Sequence, residues 1–183
     1  MSEPFPTEIL LKASRFQIER VSRVLRDGTV FSREIVRHPG AVVILPILQD
    51  GRICLIKNFR ITVNRELLEL PAGTLEPGEP PIETAGRELI EETGYRAGKI
   101  VPLCEFFMSP GILDEHMYAF VATDLVAGDP AREKGEEIAN HLVAMVELDR
   151  LMRDGYIQDS KSLSVILYYL RFGPPCKTGT MKI

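Results

Sequence analysis

The apolar positions of this chain change their spacing several times, and each change marks an element. Residues 16–25 and 29–37 read as two strands around Asp27-Gly28, a dipeptide that favours a tight hairpin turn. Residues 41–48 form a nearly continuous apolar run, and residues 53–58 follow it across the turn signal Gln49-Asp50-Gly51-Arg52, so both suit buried central strands. A short strand over 66–70 leads into a loop rich in Gly and Pro. Beyond a helix described next, residues 99–107, 116–124 and 138–146 read as strands, and 148–153 and 160–172 as helices. From Gly173 onward, Pro174-Pro175 and small polar residues predict a loose tail. There is no internal repeat, and the pattern predicts a mixed sheet between helices. It divides the chain into an N-terminal extension with a hairpin (1–38), one main domain (39–172) and a flexible tail (173–183).

The stretch between Gly73 and Tyr95 has a helical period. A helix advances roughly 100° per residue, so Glu88, Glu91 and Glu92 fall within an arc of about 100°, beside an apolar stripe of Ile82, Ala85 and Leu89. Pro80 and Pro81 suit a helix start, where a missing N–H costs nothing, and Gly94 suits the left-handed residue just past a helix end. The helix is therefore about three turns long. Its carboxylates converge, and like charges at these spacings destabilise an isolated helix by roughly 0.2–0.5 kcal/mol per pair. Arg87 is the one nearby cation. Hard divalent cations, which prefer oxygen ligands, would remove the penalty. Gly73, Pro77 and Gly78 give the preceding loop sharp turns, which lets backbone carbonyls near Ala72 approach the same metals.

Composition narrows the function classes. A chain of 183 residues, 45% hydrophobic, is large enough to bury one core and shows no second compositional block. A formal net charge of -4 with scattered Lys and Arg argues against a nucleic-acid footprint, which shows a basic stripe. Cys54, Cys104 and Cys176 are odd in number and lack CxxC spacing, so neither a disulfide frame nor a zinc site is indicated. The N-terminus lacks a basic segment followed by a long apolar core, and no apolar run approaches the roughly 20 residues needed to span a bilayer. The expected compartment is the cytoplasm. His38, His116 and His141 have no ligand spacing.

Gly73, Glu79, Arg87-Glu88-Leu89, Glu91-Glu92, Gly94 and the apolar Tyr95 stand at fixed offsets, and the string resembles the Nudix box at every defining position. The resemblance implies an α/β (α+β) fold, the Nudix-type α/β/α sandwich. It also implies a hydrolase of nucleoside diphosphates linked to another moiety. Glu88, Glu91 and Glu92 would then be metal ligands, Glu92 with a catalytic part through its metal, and Glu79 and Arg87 would orient them. The implied cofactor is Mg²⁺, with Mn²⁺ as a substitute.

Three features outside the box bear on the substrate. Ser109-Pro110-Gly111, with Pro110 sixteen positions after Gly94, resembles the ADP-ribose pyrophosphatase branch, and so does Arg60 at a strand end followed by the run Glu69-Leu70-Pro71-Ala72-Gly73. Pro110 and Gly111 are thus expected at the substrate, and Arg60 offers a planar fork of donors matched to phosphate. Glu69 would be costly to bury alone, so its edge is exposed or its carboxylate meets a cation or a ligand hydroxyl; the ligand or its surroundings is the expectation. The charged loop Glu133-Lys134-Gly135-Glu136-Glu137 resembles the loop that carries a general base in related enzymes, with Glu136 the first choice, Glu137 the second and Glu133 a third. The implied activity is hydrolysis of ADP-ribose to AMP and ribose 5-phosphate, in a homodimer joined through the N-terminal hairpin. Alternatives are another nucleotide-sugar diphosphatase, such as a GDP-mannose hydrolase, or an ADP-ribose-binding sensor. The expected partner is a small nucleoside diphosphate, with neither nucleic acid nor membrane.

Overall fold

A computed structural model describes residues 5–132 and 137–173. Ten strands precede or alternate with three helices: β1 Thr7–Lys12, β2 Gln17–Val24, β3 Val30–Arg37, β4 Ala41–Pro46, β5 Arg52–Arg60, β6 Arg65–Glu69, β7 Ala72–Thr74, α1 Pro81–Thr93, β8 Arg96–Phe107, β9 His116–Val126, β10 Ile138–Ala144, α2 Leu148–Arg153 and α3 Ser160–Phe172. They form three sheets, ordered β1-β2-β3, β10-β5-β6 and β7-β4-β9-β8. The last is mixed, because β4 runs parallel to β9 and antiparallel to β7.

Strand β4 explains the layering. All six of its residues are buried, as the continuous apolar run requires of a central strand. Val42 and Ile44 face α1 in a cluster with Ala85, Leu89, Phe120 and Ala122. Val43 and Leu45 face the opposite way, into the larger core shared with Leu55, Leu70, Val165 and Ile166. Period-two alternation thus sends one strand into two cores, with α1 on one side and α3 on the other.

The N-terminal region differs from the expected hairpin. Strands β2 and β3 pair around Gly28 (φ +83°), as Asp27-Gly28 predicts, but β1 adds a third strand on the free edge of β2. No strand is legible there because Ile9-Leu10-Leu11 do not alternate, and all six β1 residues are exposed. Its side chains therefore carry no in/out pattern for a period-based reading to detect. The expected tail beyond Gly173 lies outside the described residues.

Candidate active site

Helix α1 begins with Pro80 as N-cap and Pro81 at its first position, and ends at Gly94, whose φ of 79° is left-handed. A Cβ on Gly94 would lie 2.4 Å from the Gly128 carbonyl oxygen, so the segment before β10 rests on this glycine. Of the expected apolar stripe, Ala85 and Leu89 are buried against β4 while Ile82 is exposed, and this packing turns Glu88, Glu91 and Glu92 towards β7 and the loop after it. All three line one cleft of about 420 Å³ together with Arg60, Ala72 and Gly73.

Gly73 is fixed by contact. A Cβ there would sit 1.8 Å from the carboxylate carbon of Glu88, so only glycine lets this side chain lie against β7. Glu92 is nearly buried and accepts a hydrogen bond from the Ala72 backbone N–H at 2.9 Å. That bond ties the end of the helix to the strand preceding the loop. Residues that stand apart in sequence thereby form one wall.

Arg87 organises the carboxylates. Its Nε and Nη2 donate to the two oxygens of Glu79 at 3.1 and 3.0 Å, and its Nη1 donates to Glu88 at 2.8 Å and Glu91 at 2.9 Å. Thr84 donates a further bond to Glu79 at 2.8 Å. The guanidinium above all, with Thr84 helping, holds the Glu79 carboxyl at about 2, against an ordinary value of 4.5. The Arg87 guanidinium is in turn driven above its ordinary value, first by Glu79 and then by Glu88 and Glu91. Arg87 thus clamps Glu79 and contacts Glu88 and Glu91, two of the three acids the pair is expected to orient. Among the described residues no three acidic, His or Cys side chains are gathered as a preformed metal cage, and Arg87 stands between Glu88 and Glu91.

Across the cleft lies a second ionic cluster. Glu69 is fully buried, and the alternative it satisfies is the cation: Arg60 Nε and Nη2 fork onto its carboxylate at 2.9 and 2.6 Å, and Lys161 Nζ reaches it at 2.7 Å. Lys161 also meets Asp159 at 2.9 Å, and Asp159 caps α3 by accepting from the Ser162 N–H and hydroxyl. Burial raises the Asp159 carboxyl, but Lys161 and the Ser162 donors outweigh it and hold the group below its ordinary value. Arg60 feels the charge of Glu92 as well, so the two clusters face one space.

Two expected site positions lie elsewhere. Pro110 and Gly111 are not among the lining residues; their turn is docked on the N-terminal sheet, with the Val36 N–H donating to Ile112 O at 2.8 Å and Asp114 N–H to Val36 O at 3.1 Å. Glu133 and Glu136 fall outside the described residues, and Glu137 is exposed at the start of β10. The flanks of that stretch are anchored on α1. Arg132 donates to the Glu92 carbonyl at 3.4 Å, and the Asn140 amide donates to the Thr93 carbonyl at 2.8 Å.

Sequence reasoning missed Lys161, Asn58, Ser14 and Arg15, the last three of which line the cleft. Lys161 carried a signal. It sits in the first turn of α3, where the helix dipole disfavours a cation, so a buried anion was needed to hold it there. Ser14 and Arg15 lie in the turn between β1 and β2, which the unrecognised strand β1 creates.

The NUDIX domain family matches residues 36–164 of this chain. An ADP-ribose pyrophosphatase of Bacillus subtilis (strain 168) is 39% identical over 146 residues, 79% of each chain. A methanol dehydrogenase activator of Bacillus methanolicus is 35% identical over 156 residues, 84% of this chain and 83% of that one. A solved structure described as the crystal structure of ADP compounds hydrolase aligns with a TM-score of 0.78, covering 94% of this chain and 96% of its own; at 22% identity it shows the shared fold.

Proposed function

The chain belongs to the Nudix hydrolase family, and on that premise we propose that it hydrolyses the diphosphate of ADP-ribose, releasing AMP and ribose 5-phosphate. One observation carries the reading: Glu88, Glu91 and Glu92 share a single cleft with Arg60. Acids able to hold a hard cation thus stand in the same space as a guanidinium able to hold a phosphate. The B. subtilis relative, named for this substrate, supports it.

The residues present fit a divalent metal. Every side-chain donor is a carboxylate oxygen, Glu79, Glu88 and Glu91 surround one cation with Glu92 lining the same cleft, and Gly73 keeps clear the space Glu88 occupies. Glu88, Glu91 and Glu92 would hold it, with the Ala72 carbonyl beside them. When bound, Mg²⁺ or Mn²⁺ neutralises diphosphate oxygens and makes an attacking water more acidic. The protein's own groups do the rest. Arg87 and Glu79 fix the orientation of the acids, and Arg60 offers a phosphate oxygen the donors that Glu69 does not use. Glu136, or next to it Glu137, takes the proton of the attacking water. The anchoring of Arg132 and Asn140 on α1 supports a base from this stretch, since both ends are held beside Glu92. Replacing Glu136 by Gln should depress kcat by about 10²–10⁴ while KM stays near the parent value. Full activity after changing Glu133, Glu136 and Glu137 together would remove the stretch from the mechanism.

The proposed assembly is a homodimer through residues 1–38, with 39–172 as the catalytic domain. Exposed apolar side chains on the N-terminal sheet, among them Ile9, Leu11, Val24 and Val30, support it. The unpaired thiols of Cys54 and Cys104 suit the reducing cytoplasm.

Assaying ADP-ribose, GDP-mannose and other nucleotide sugars with Mg²⁺ and with Mn²⁺ tests the reading. The highest kcat/KM should fall on ADP-ribose. A preference for GDP-mannose would move the assignment to another nucleotide-sugar diphosphatase, and tight ADP-ribose binding without turnover would make the chain a sensor.

A further inference from the structure

Lys161 is a nearly buried cation on α3 that belongs to neither the box nor the strand end carrying Arg60. Its Nζ is committed to Glu69 Oε2 at 2.7 Å and Asp159 Oδ1 at 2.9 Å, and with Arg60 and Gly73 it lines a smaller cavity of about 210 Å³ beside the cleft. Glu69 Oε2 also accepts from Arg60 Nη2 at 2.6 Å, so one buried oxygen serves two cations. Asp159 is fixed by the cap of α3, and the Ser162 hydroxyl accepts from the Leu70 N–H at 2.7 Å, one residue beyond Glu69. An ordered series of contacts therefore runs from the cap of α3 to Arg60 at the cleft.

Stability does not require this arrangement. Buried ion pairs commonly contribute no more than apolar residues of the same volume, because desolvation offsets their attraction. Geometry gives it a use. Asp159 balances the charge of Lys161, so the set stays neutral; what the second cation supplies is a fixed Glu69 carboxylate, whose two oxygens fork the Arg60 guanidinium into place at the cleft it lines.

We propose that Lys161 is a positioning residue for the reaction: by anchoring the Glu69 carboxylate it keeps the Arg60 guanidinium oriented towards the substrate diphosphate. The inference rests on the assignment of Arg60 to a substrate phosphate.

The test compares ADP-ribose kinetics and melting of the full chain in Lys161→Met, Arg60→Ala, Glu69→Gln and the Glu69→Gln/Lys161→Met double variant. Lys161→Met should raise KM by roughly tenfold, the lower range for loss of a charge-assisted bond, with kcat moving much less. In the Glu69→Gln background the anion is gone, so adding Lys161→Met should leave KM where Glu69→Gln put it. This double variant removes the fully buried carboxylate, leaves Asp159 with its two Ser162 donors, and keeps the proposal testable if Lys161→Met alone fails to fold. If Arg60→Ala raises KM while Lys161→Met changes only the melting temperature, Lys161 is structural and the proposal falls with Arg60 still standing. An equal KM rise from Lys161→Met with and without Glu69 also overturns it. If Arg60→Ala leaves KM unchanged, the phosphate assignment fails and this inference with it.

Discussion

Two arginine-centred clusters face each other across the cleft, and they differ in charge balance. Around Arg87 stand Glu79, Glu88 and Glu91, with Glu92 beside them, so the acids outnumber the cation. Around Glu69 stand Arg60 and Lys161, with Asp159 completing two cations and two acids. The first cluster is partly open to water and short of positive charge; the second contains a fully buried acid and is neutral as a set. An acid-rich wall has a reason to recruit a cation, whereas a neutral set can hold one guanidinium in place without attracting metal to itself. Metal on one side and phosphate on the other is what a diphosphate needs.

The contrast breaks most visibly at Glu92. Glu92→Gln keeps an acceptor for the Ala72 N–H but gives up the charge, so the fold should persist while turnover drops by about 100-fold or more, at or above the loss on removing outer-shell partners of metal ligands. Circular dichroism and the rate of AMP formation from ADP-ribose measure the two halves, and activity within a few-fold of the parent would remove Glu92 from the metal set. On the neutral side the loss should appear in KM instead. Arg60→Ala should raise it by the equivalent of roughly 1.5–3 kcal/mol, with Lys161 left to hold Glu69. Early melting with parental kinetics would make Arg60 purely an ion-pair residue.

Gly73→Ala sharpens the comparison from the backbone. Its methyl group would overlap the Glu88 carboxylate, the yielding end of a flexible side chain, so the loss should fall on activity through a displaced Glu88, with a smaller drop in melting temperature. Parental activity in this variant would show that the place of Glu88 against β7 does not matter. The smallest effect concerns acid. Because Arg87 depresses the Glu79 carboxyl to about 2 from 4.5, its stabilisation is present above 4.5 and is lost as pH falls through 2. In chelator-treated protein, Glu79→Gln should flatten the fall in urea midpoint over that window, and an unchanged slope would mean that the Arg87–Glu79 contact contributes little.

The acid-rich cluster was legible because it is local. Glu88, Glu91 and Glu92 share one helix face, and helical periodicity reads that from spacing alone. The order of elements was equally plain from β4 to α3 apart from β7 (Ala72–Thr74), which reads as loop because three residues are too few to show a period. The neutral cluster was half legible: Glu69 announced that it needed a partner, but Arg60 and Lys161 reach it from a hairpin and from a helix 92 residues away. Spacing carries no information about such a meeting. Strand β1 escaped because nothing buries either of its faces in one chain.

The parallel contact of β4 with β9 has a consequence in time. Ala41 pairs with Met117 and Pro46 with Ala122, so the strand that supports α1 on one face and the main core on the other gains its parallel neighbour only when distant parts of the chain meet. Closing such a loop costs entropy before any contact repays it, which makes long-range parallel pairing a slow event in folding. The box helix and the hairpin carrying Arg60 are local units that can form early, and β7 joins β4 within the same stretch, but Lys161 reaches Glu69 only once α3, 92 residues on, has docked. Catalytic competence is therefore among the last properties this chain acquires as it folds.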